Sequence, residues 1–569
     1  MERRPSLTGI QTAVSVRYAM AVAAGLMLSF SFPKFNCAWL AWLAPGVILM
    51  SSLGQPGTRI LRIGYYAGLG QYMLSFYWLL LLPVPFHAIA AWLMVCCFLA
   101  LYTAAWTWIC CWLFPGVLSD ASASFSLQKI SECLQSVSWP KRALWAAGCA
   151  MAWVAMEMGI ARILTGFPYS LGVSQFRNLP LIQIASITGV YGVSFIVVWS
   201  SIALACAIII SVRKPVSLRD GVPELLFPVA AVFVIFGYGF LKLEHKQPSG
   251  PGLKLALIQP AIPQYVIWDE NEKTNRFLKL VRLSEEALVN DPDLLVWPES
   301  ALPNLLNRFN RLTHDAVTNL AVTHNLWMII GANDVRPKKS PRHPGEVEFL
   351  NSSFLINPEG QLLARYHKRH LVMFGEYMPL GRWFPFLNSF RTLDAGFFPG
   401  DGPVPFYLTN KNVKISVLIC SEDVFPHLAR QYVDRETDFL LNLTNNGWFG
   451  NSAAQWQHAI CALFRAVENG LPLVRCTNNG LTCWIDPEGR LHDVYFPGTK
   501  DIYGPGFKLV RVPLRHPGEN RSLTFYNRYG DWFGWSCVGI IALQLSWQWL
   551  QRSRVGWWTR GSGSPLSSG

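Results

Sequence analysis

The chain has 569 residues, of which 51% are hydrophobic and only 15% are charged, and its mean hydropathy is positive. A soluble globular chain carries about a quarter of its residues as charges, so this composition excludes a disordered chain and a wholly soluble one. The net charge of +13 is typical of the basic cytoplasmic loops of a membrane protein, so we expect no nucleic-acid partner.

Eight apolar runs are candidate membrane spans, since a helix needs about 20 apolar residues to cross a bilayer. Lys and Arg number 14 in one set of alternating loops and 3 in the other, leaving out the long segment before the last run. This bias predicts that both termini are cytoplasmic and that the long segment lies outside. The runs are Tyr18–Phe32, Cys37–Leu53, Ile63–Leu82, Ala88–Leu113, Ala143–Ala161, Gly189–Val212, Leu225–Leu241 and Trp532–Leu550.

The long segment has a different texture, because apolar runs of strand length alternate with helical stretches such as Thr274–Asn290 and Ala454–Glu468. This pattern predicts an α/β domain. We therefore divide the chain into a seven-helix transmembrane domain (1–241), an α/β domain (242–531), a C-terminal transmembrane helix (532–550) and a disordered cytoplasmic tail (551–569). The predicted strands are Leu253–Gln259, Leu294–Trp297, Trp327–Ala332, Ser353–Asn357, Val413–Cys420, Phe439–Leu443 and Leu473–Thr477.

Three residues of the α/β domain combine reactive chemistry with a position beside apolar segments. Glu299 follows the strand Leu294–Trp297, Lys368 lies in a basic run flanked by apolar residues, and Cys420 closes the strand that begins at Val413. A carboxylate, an ammonium and a thiol can serve as base, oxyanion partner and nucleophile. Each has a structural alternative: a carboxylate at a helix N-terminus, a solvated basic face and a buried structural cysteine, respectively.

Taken together, three segments resemble the Glu–Lys–Cys signature of the nitrilase, or carbon–nitrogen hydrolase, superfamily. Further segments, two of them in the membrane part, resemble the apolipoprotein N-acyltransferases, and the resemblance covers nearly the whole chain. It departs from the family at Ser421, where an aromatic residue is usual, and at Met373, where proline is usual. The first group is Trp297–Ser300, Tyr366–Tyr377 and Leu418–Asp423; the second is Gln259–Gln264, Asn445–Gly450, Trp456–His458, Thr477–Gly480, Gly166–Tyr169 and Gly189–Phe195.

The resemblance implies an αββα sandwich in the periplasm, attached to a multi-pass domain in the bacterial inner membrane. It further implies that a fatty acyl chain passes from a phospholipid to the α-amino group of a diacylglyceryl-cysteine at a lipoprotein N-terminus. Cys420 would carry the chain as a thioester in a ping-pong reaction. Glu299 would be the base, and Lys368 would stabilise the oxyanion together with the backbone N–H of Ser421.

The same resemblance assigns supporting roles to Glu376 and Glu422, and substrate contacts to Trp268, Trp448 and Phe449. We expect no cofactor and a monomer. We also expect no metal ion, because His367, His370 and His458 lack a consistent ligand spacing with Cys or carboxylates. Water must be kept from a thioester, and we expect aromatic roofs over the site at Phe374–Phe398 and Asn445–Asn451. Glu157, a carboxylate within the fifth apolar run, is a separate functional candidate.

Two other functions remain open on the sequence. One is a membrane-anchored nitrilase-type amidase that cleaves a small amide in a polar pocket. The other is a transporter whose outer domain only binds, although its first seven apolar runs contain few of the charged or broken helices that transport requires.

Overall fold

The computed structural model describes residues 7–116, 127–163, 170–211, 220–244, 250–303, 311–338, 345–378, 383, 396–516 and 518–561. The N-terminal part and the C-terminal segment are helical, and the part between them is an α/β domain. The helices of the helical part are Leu7–Phe30, Ala44–Ser52, Gly57–Ser75, Pro85–Trp112, Leu127–Gln135, Trp139–Ile163, Leu179–Ile182, Ala185–Thr188, Val190–Ser211, Val222–Glu244 and Trp532–Gly561, with 3-10 turns at Ala38–Trp42, Tyr77–Leu81 and Leu171–Gln175.

Among the described residues, four helices are long and apolar enough to cross a membrane: His87–Trp112, Trp139–Ile163, Val190–Ser211 and Val222–Glu244. The other predicted spans are helical, but they are shorter or less apolar, so length and composition do not confirm the predicted count of eight. The C-terminal helix extends to Gly561, beyond residue 550, after which the disordered tail was predicted to begin.

The strands of the described residues form two six-stranded sheets, ordered β12-β1-β2-β3-β4-β5 and β11-β10-β9-β8-β7-β6. In the first sheet β1, β2 and β3 are parallel, and in the second β7, β8 and β9 are parallel. The strands are β1 Gly252–Gln259, β2 Leu294–Val296, β3 Trp327–Pro337, β4 Val347–Ile356, β5 Leu362–His367, β6 Pro405–Leu408, β7 Val413–Ile419, β8 Phe439–Thr444, β9 Leu473–Thr477, β10 Cys483–Ile485, β11 Leu491–His492 and β12 Gly506–Pro513.

Alternate side chains of β1 to β3 enter two different cores, which explains why these strands are apolar throughout. Leu257 and Ile329 belong to the core that includes the second sheet. Ile258 and Ile330 pack instead against the helices Lys273–Leu288 and Arg311–Thr323. Strands buried on both faces are continuous apolar runs rather than alternating ones. With the helix Ala454–Asn469 packed against the second sheet, the layers are helix, sheet, sheet and helix.

Strand direction brings the ends of β2, β5, β7 and β8 together. Parallel strands end at the same edge of a sheet, and β5 also ends at the edge where β2 and β3 end, because two successive antiparallel pairings restore its direction. At this edge the thiol of Cys476 lies 3.4 Å from carbonyl oxygens of both Ile258 and Val296, so the two sheets meet closely there.

The α/β domain rests on the helical part through the helix Ala454–Asn469. Trp78 Nε1 donates to Gln457 Oε1 at 2.9 Å, and Gln457 Nε2 donates to the carbonyl of Pro33 at 3.1 Å. Nearer the other end of the helix, the N–H of Val190 donates to Glu468 Oε1 at 2.9 Å. Buried polar contacts of this kind fix the orientation of the sheet edge relative to the apolar helices.

Most of the predicted strands are confirmed with small shifts of their ends, but the interpretation of the basic run around Lys368 changes. The segment before it is strand β5, which was not predicted because Arg365 and His367 made its end look like part of the basic run. Strand β4 begins at Val347, well before the predicted Ser353. These two strands carry Lys368 and Asn351 to the edge of the sheet.

Candidate active site

Cys420 follows β7 directly and begins the 3-10 helix Cys420–Val424. Its backbone φ is 53°, a left-handed conformation that a non-glycine residue keeps only when surrounding contacts hold it. Burial raises the pKa of the thiol to about 12; the charge of Glu299 acts in the same direction and that of Lys368 opposes it. At neutral pH the thiol is therefore protonated and needs a base before it can act as a nucleophile.

The ammonium of Lys368 lies between two carboxylates. Its Nζ is 2.9 Å from Glu376 Oε1 and 3.6 Å from Glu299 Oε1, and the side chain is only 1% exposed. Burial alone lowers the pKa of this ammonium, but the charges of Glu376, Cys420 and Glu299 outweigh burial and raise it. Lys368 is thus a fixed positive charge close to the thiol.

Asn351, on β4, connects the two carboxylates and was not identified from the sequence. Its Nδ2 donates to Glu299 Oε1 at 2.7 Å and to Glu376 Oε1 at 3.2 Å. The backbone carbonyl oxygen of Asn351 accepts the backbone N–H of Lys368 at 2.8 Å. The signal that could have revealed it was an amide side chain within the apolar run from Phe349 to Ile356.

The second oxygen of Glu299 is held from the opposite sheet. Glu299 Oε2 accepts the backbone N–H of Asn445 at 2.8 Å. The side chain of Asn445 bonds Gln264 at 3.1 Å and Asn478 at 3.0 Å. Because Asn445 follows β8 and precedes the 3-10 turn Asn446–Phe449, the orientation of the Glu299 carboxylate is coupled to the position of this loop.

The loop after Asn445 links the site to the helical part through aromatic rings. Trp448 packs edge-on against Trp268, with ring centroids 5.5 Å apart. The next residue, Phe449, packs against Trp78 of the turn Tyr77–Leu81 at 4.6 Å. Trp448 and Phe449 therefore belong to this loop and Trp268 packs against it, between the sheet edge and the helical part.

Glu422 lies behind Cys420 rather than facing the side chains of Glu299 and Lys368. Its carboxylate accepts the backbone N–H groups of Ile419, Arg369 and His370 at 2.8, 2.7 and 3.1 Å, and the hydroxyl of Tyr366 as well. Burial raises the pKa of Glu422, and these hydrogen bonds oppose that effect. Glu422 ties the segment that carries Lys368 to the turn that carries Cys420.

Some of the other predicted features lie only partly within the residues that the structure describes. Ser421 is fully buried, and its hydroxyl has no hydrogen-bond partner within the described ranges. Of the predicted roof Phe374–Phe398, residues 379–382 and 384–395 lie outside the described part, as does the motif Gly166–Tyr169. The described residues contain no group of three or more His, Cys, Asp or Glu side chains that could hold a metal ion.

Comparisons with known proteins separate the chain into the same two parts. Residues 254–495 match the family model of carbon–nitrogen hydrolases, and residues 24–203 match that of the apolipoprotein N-acyltransferase N-terminal domain. A solved amidase of the nitrilase superfamily from Nesterenkonia is 18% identical, with a TM-score of 0.33 over 47% of this chain and 92% of its own. The match to the family model places the α/β domain in the carbon–nitrogen hydrolase class.

Relatives of similar length carry one name. The apolipoprotein N-acyltransferase of Geobacter metallireducens is 35% identical over 92% of this chain and 94% of its own length. That of Rhodopseudomonas palustris is 29% identical over 93% and 96%, and that of Rickettsia prowazekii 29% over 76% and 79%. This chain belongs to the apolipoprotein N-acyltransferase family.

Proposed function

We propose that this protein transfers a fatty acyl chain from a phospholipid to the α-amino group of the N-terminal diacylglyceryl-cysteine of lipoproteins. The observation that carries the proposal is the position of Cys420, Lys368 and Glu299 at one sheet edge, beside an aromatic loop that touches the apolar helices. The names of the relatives supply the two substrates.

The first half of the reaction makes a thioester. Glu299 takes the proton of the Cys420 thiol as the sulfur attacks the ester carbonyl of the phospholipid. The oxygen of the tetrahedral intermediate carries the developing charge, which the Lys368 ammonium and the Ser421 N–H stabilise. When the intermediate collapses, the C–O bond breaks and Glu299 returns the proton to the departing glycerol oxygen, so a lysophospholipid leaves.

The second half makes an amide. The α-amino group of the lipoprotein loses a proton to Glu299 and attacks the thioester carbonyl. Collapse breaks the C–S bond and returns the proton to the sulfur of Cys420, so the enzyme is regenerated without a cofactor. Glu376 keeps Lys368 in place at 2.9 Å throughout, and Glu422 holds the turn at Cys420.

The aromatic side chains of Trp268, Trp448 and Phe449 would hold the acyl chains as they enter from the bilayer. In this arrangement residues 1–241 and 532–550 lie in the inner membrane with both termini in the cytoplasm, and residues 242–531 lie in the periplasm. We propose that the monomer carries the complete site, because the Glu299, Lys368 and Cys420 side chains all come from one chain.

The test is to incubate the purified protein with a phospholipid carrying a labelled acyl chain and to follow the label by mass spectrometry. We expect a covalent acyl adduct on Cys420 that a diacylglyceryl-cysteine peptide discharges. Cys420→Ala and Glu299→Gln should form no adduct, while Cys461→Ala, which changes a buried thiol on the neighbouring helix, should form it normally. Turnover of small amides without any labelled adduct would favour an amidase instead.

A further inference from the structure

The carbonyl oxygen of Cys420 has two side-chain partners that the proposed reaction does not use. Asn442 Nδ2, on β8, donates to it at 2.9 Å. His458 Nε2, on the helix Ala454–Asn469, lies 3.3 Å from the same oxygen. Asn442 and His458 are both fully buried. Two separate elements therefore hold one carbonyl group at the reactive turn.

The His458 ring is itself held on both sides. Its Nε2 lies 2.7 Å from Asp423 Oδ1, and because both neighbours of Nε2 are acceptors, this nitrogen carries the proton. Asp423 is paired in turn with the guanidinium of Arg475. On the other side, Nδ1 is then an acceptor that lies 3.0 Å from the side-chain amide of Asn446, and this amide donates to it when its NH2 group faces the ring. The ring orientation is thus fixed by contacts to Asp423 and Asn446.

A peptide group transmits this anchoring to the proposed oxyanion site. In a planar trans peptide the C=O and the N–H point in opposite directions, so fixing the carbonyl of Cys420 also fixes the direction of the Ser421 N–H. The left-handed φ of 53° at Cys420 is a conformation that its surroundings must maintain. Without the two donors, this peptide could rotate toward an ordinary conformation.

We propose that Asn442 and His458 are positioning residues for the oxyanion hole. They hold the carbonyl of Cys420 so that the Ser421 N–H points at the oxygen of the tetrahedral intermediate. This inference rests on the proposed acyl transfer through Cys420. In this role neither side chain contacts the substrate, and neither alters the reactivity of the Cys420 sulfur. They therefore affect only reactions in which an oxyanion forms.

Two reactions at the same sulfur test the proposal. Acyl transfer from a labelled phospholipid passes through an oxyanion, whereas alkylation by iodoacetamide is a displacement at a CH2 group and forms none. We expect Asn442→Leu and His458→Leu to slow formation of the acyl-enzyme at least about tenfold, since an intact oxyanion donor typically contributes about 100-fold or more. Their alkylation rates should stay within about threefold of wild type, and the phospholipid KM should change little.

His458→Gln is the conservative variant, because the Gln Nε2 can donate from nearly the same place, and it should recover most of the acylation rate. Asn469→Ala, a change at a buried amide of the same helix that bonds Arg465 and Asn527, should leave the ratio of the two rates at the wild-type value. An equal fall in acylation and alkylation, or an unchanged acylation rate, would overturn the inference. A wild-type protein that is alkylated but never acylated would instead overturn the proposed function, and the inference with it.

Discussion

Cys420 has a high pKa for a nucleophile, and this has a measurable consequence. Because burial and the charge of Glu299 raise the pKa of this thiol to about 12, its thiolate fraction grows about tenfold per pH unit below that value. We expect the alkylation rate of Cys420 by iodoacetamide to rise with this slope between about pH 7 and pH 10. A rate that levels off near neutral pH would show a preformed thiolate, as in a Cys–Lys ion pair.

The same electrostatics predict opposite effects of Glu299→Gln on two reactions. Removing the carboxylate charge lowers the pKa of Cys420, since that charge raises it, and so increases alkylation at a fixed pH. Acyl transfer from an ester should be lost, because the base is gone. Rates for both reactions at pH 8 would check this, and a slower alkylation than wild type would contradict the assigned electrostatics.

The proposed role of Lys368 in acylation depends on the shape of its ammonium group as well as on its charge. The ammonium fits within 2.9 and 3.6 Å of two carboxylate oxygens in a site that is 1% exposed, and a planar guanidinium is larger and directs its donors differently. We expect Lys368→Ala to raise the acylation barrier by about 3 kcal/mol and Lys368→Arg to recover little of it. Full activity of the Arg variant in the acyl-enzyme assay would show that charge alone is sufficient.

At the scale of elements, the turn Asn446–Phe449 joins the sheet edge that carries Cys420 to the helical part. Trp448 pairs with Trp268, and such aromatic pairs contribute about 1 kcal/mol beyond buried area. We expect Trp448→Ala and Trp268→Ala each to raise the phospholipid KM several-fold, and the double variant to show less than the sum. Trp484→Ala is the control, because Trp484 stacks on His492, away from the site; a KM change as large there would argue against a substrate role.

At the scale of the whole molecule, Gln457 makes two of the buried contacts that place the α/β domain on the helical part. It accepts from Trp78 and donates to the carbonyl of Pro33, so Gln457→Leu leaves buried groups unpaired, at a cost of about 1–3 kcal/mol each. We expect a lower melting temperature in detergent and slower acylation from vesicles, with Cys420 alkylation preserved. The variant Gln361→Ala, on an exposed turn, should change neither; an unchanged melting temperature for Gln457→Leu would contradict this contact.

Single segments of the chain supplied candidates for the site, and their combination supplied the assignment. Glu299 and Cys420 each follow an apolar strand, and apolar strands that end in a polar residue are visible in the sequence. Asn351, Asn442 and His458 could not be assigned, because their partners are 22 to 52 residues distant along the chain. Such contacts depend on strand order, which local patterns do not contain.

The sequence alone determined that this is a membrane protein with an α/β domain between its last two apolar runs, because hydrophobic composition and periodicity are properties of neighbouring residues. Through the family resemblance, it also indicated Cys420, Glu299 and Lys368 as the thiol, carboxylate and ammonium of the proposed reaction. Only the tertiary structure decided that the ammonium lies between two carboxylates, that Glu422 stands behind the thiol, and that the aromatic loop reaches the apolar helices. The physical reason is that the distances between side chains depend on how strands and sheets pack. Burial at the sheet edge then shifts the pKa values of the side chains that meet there.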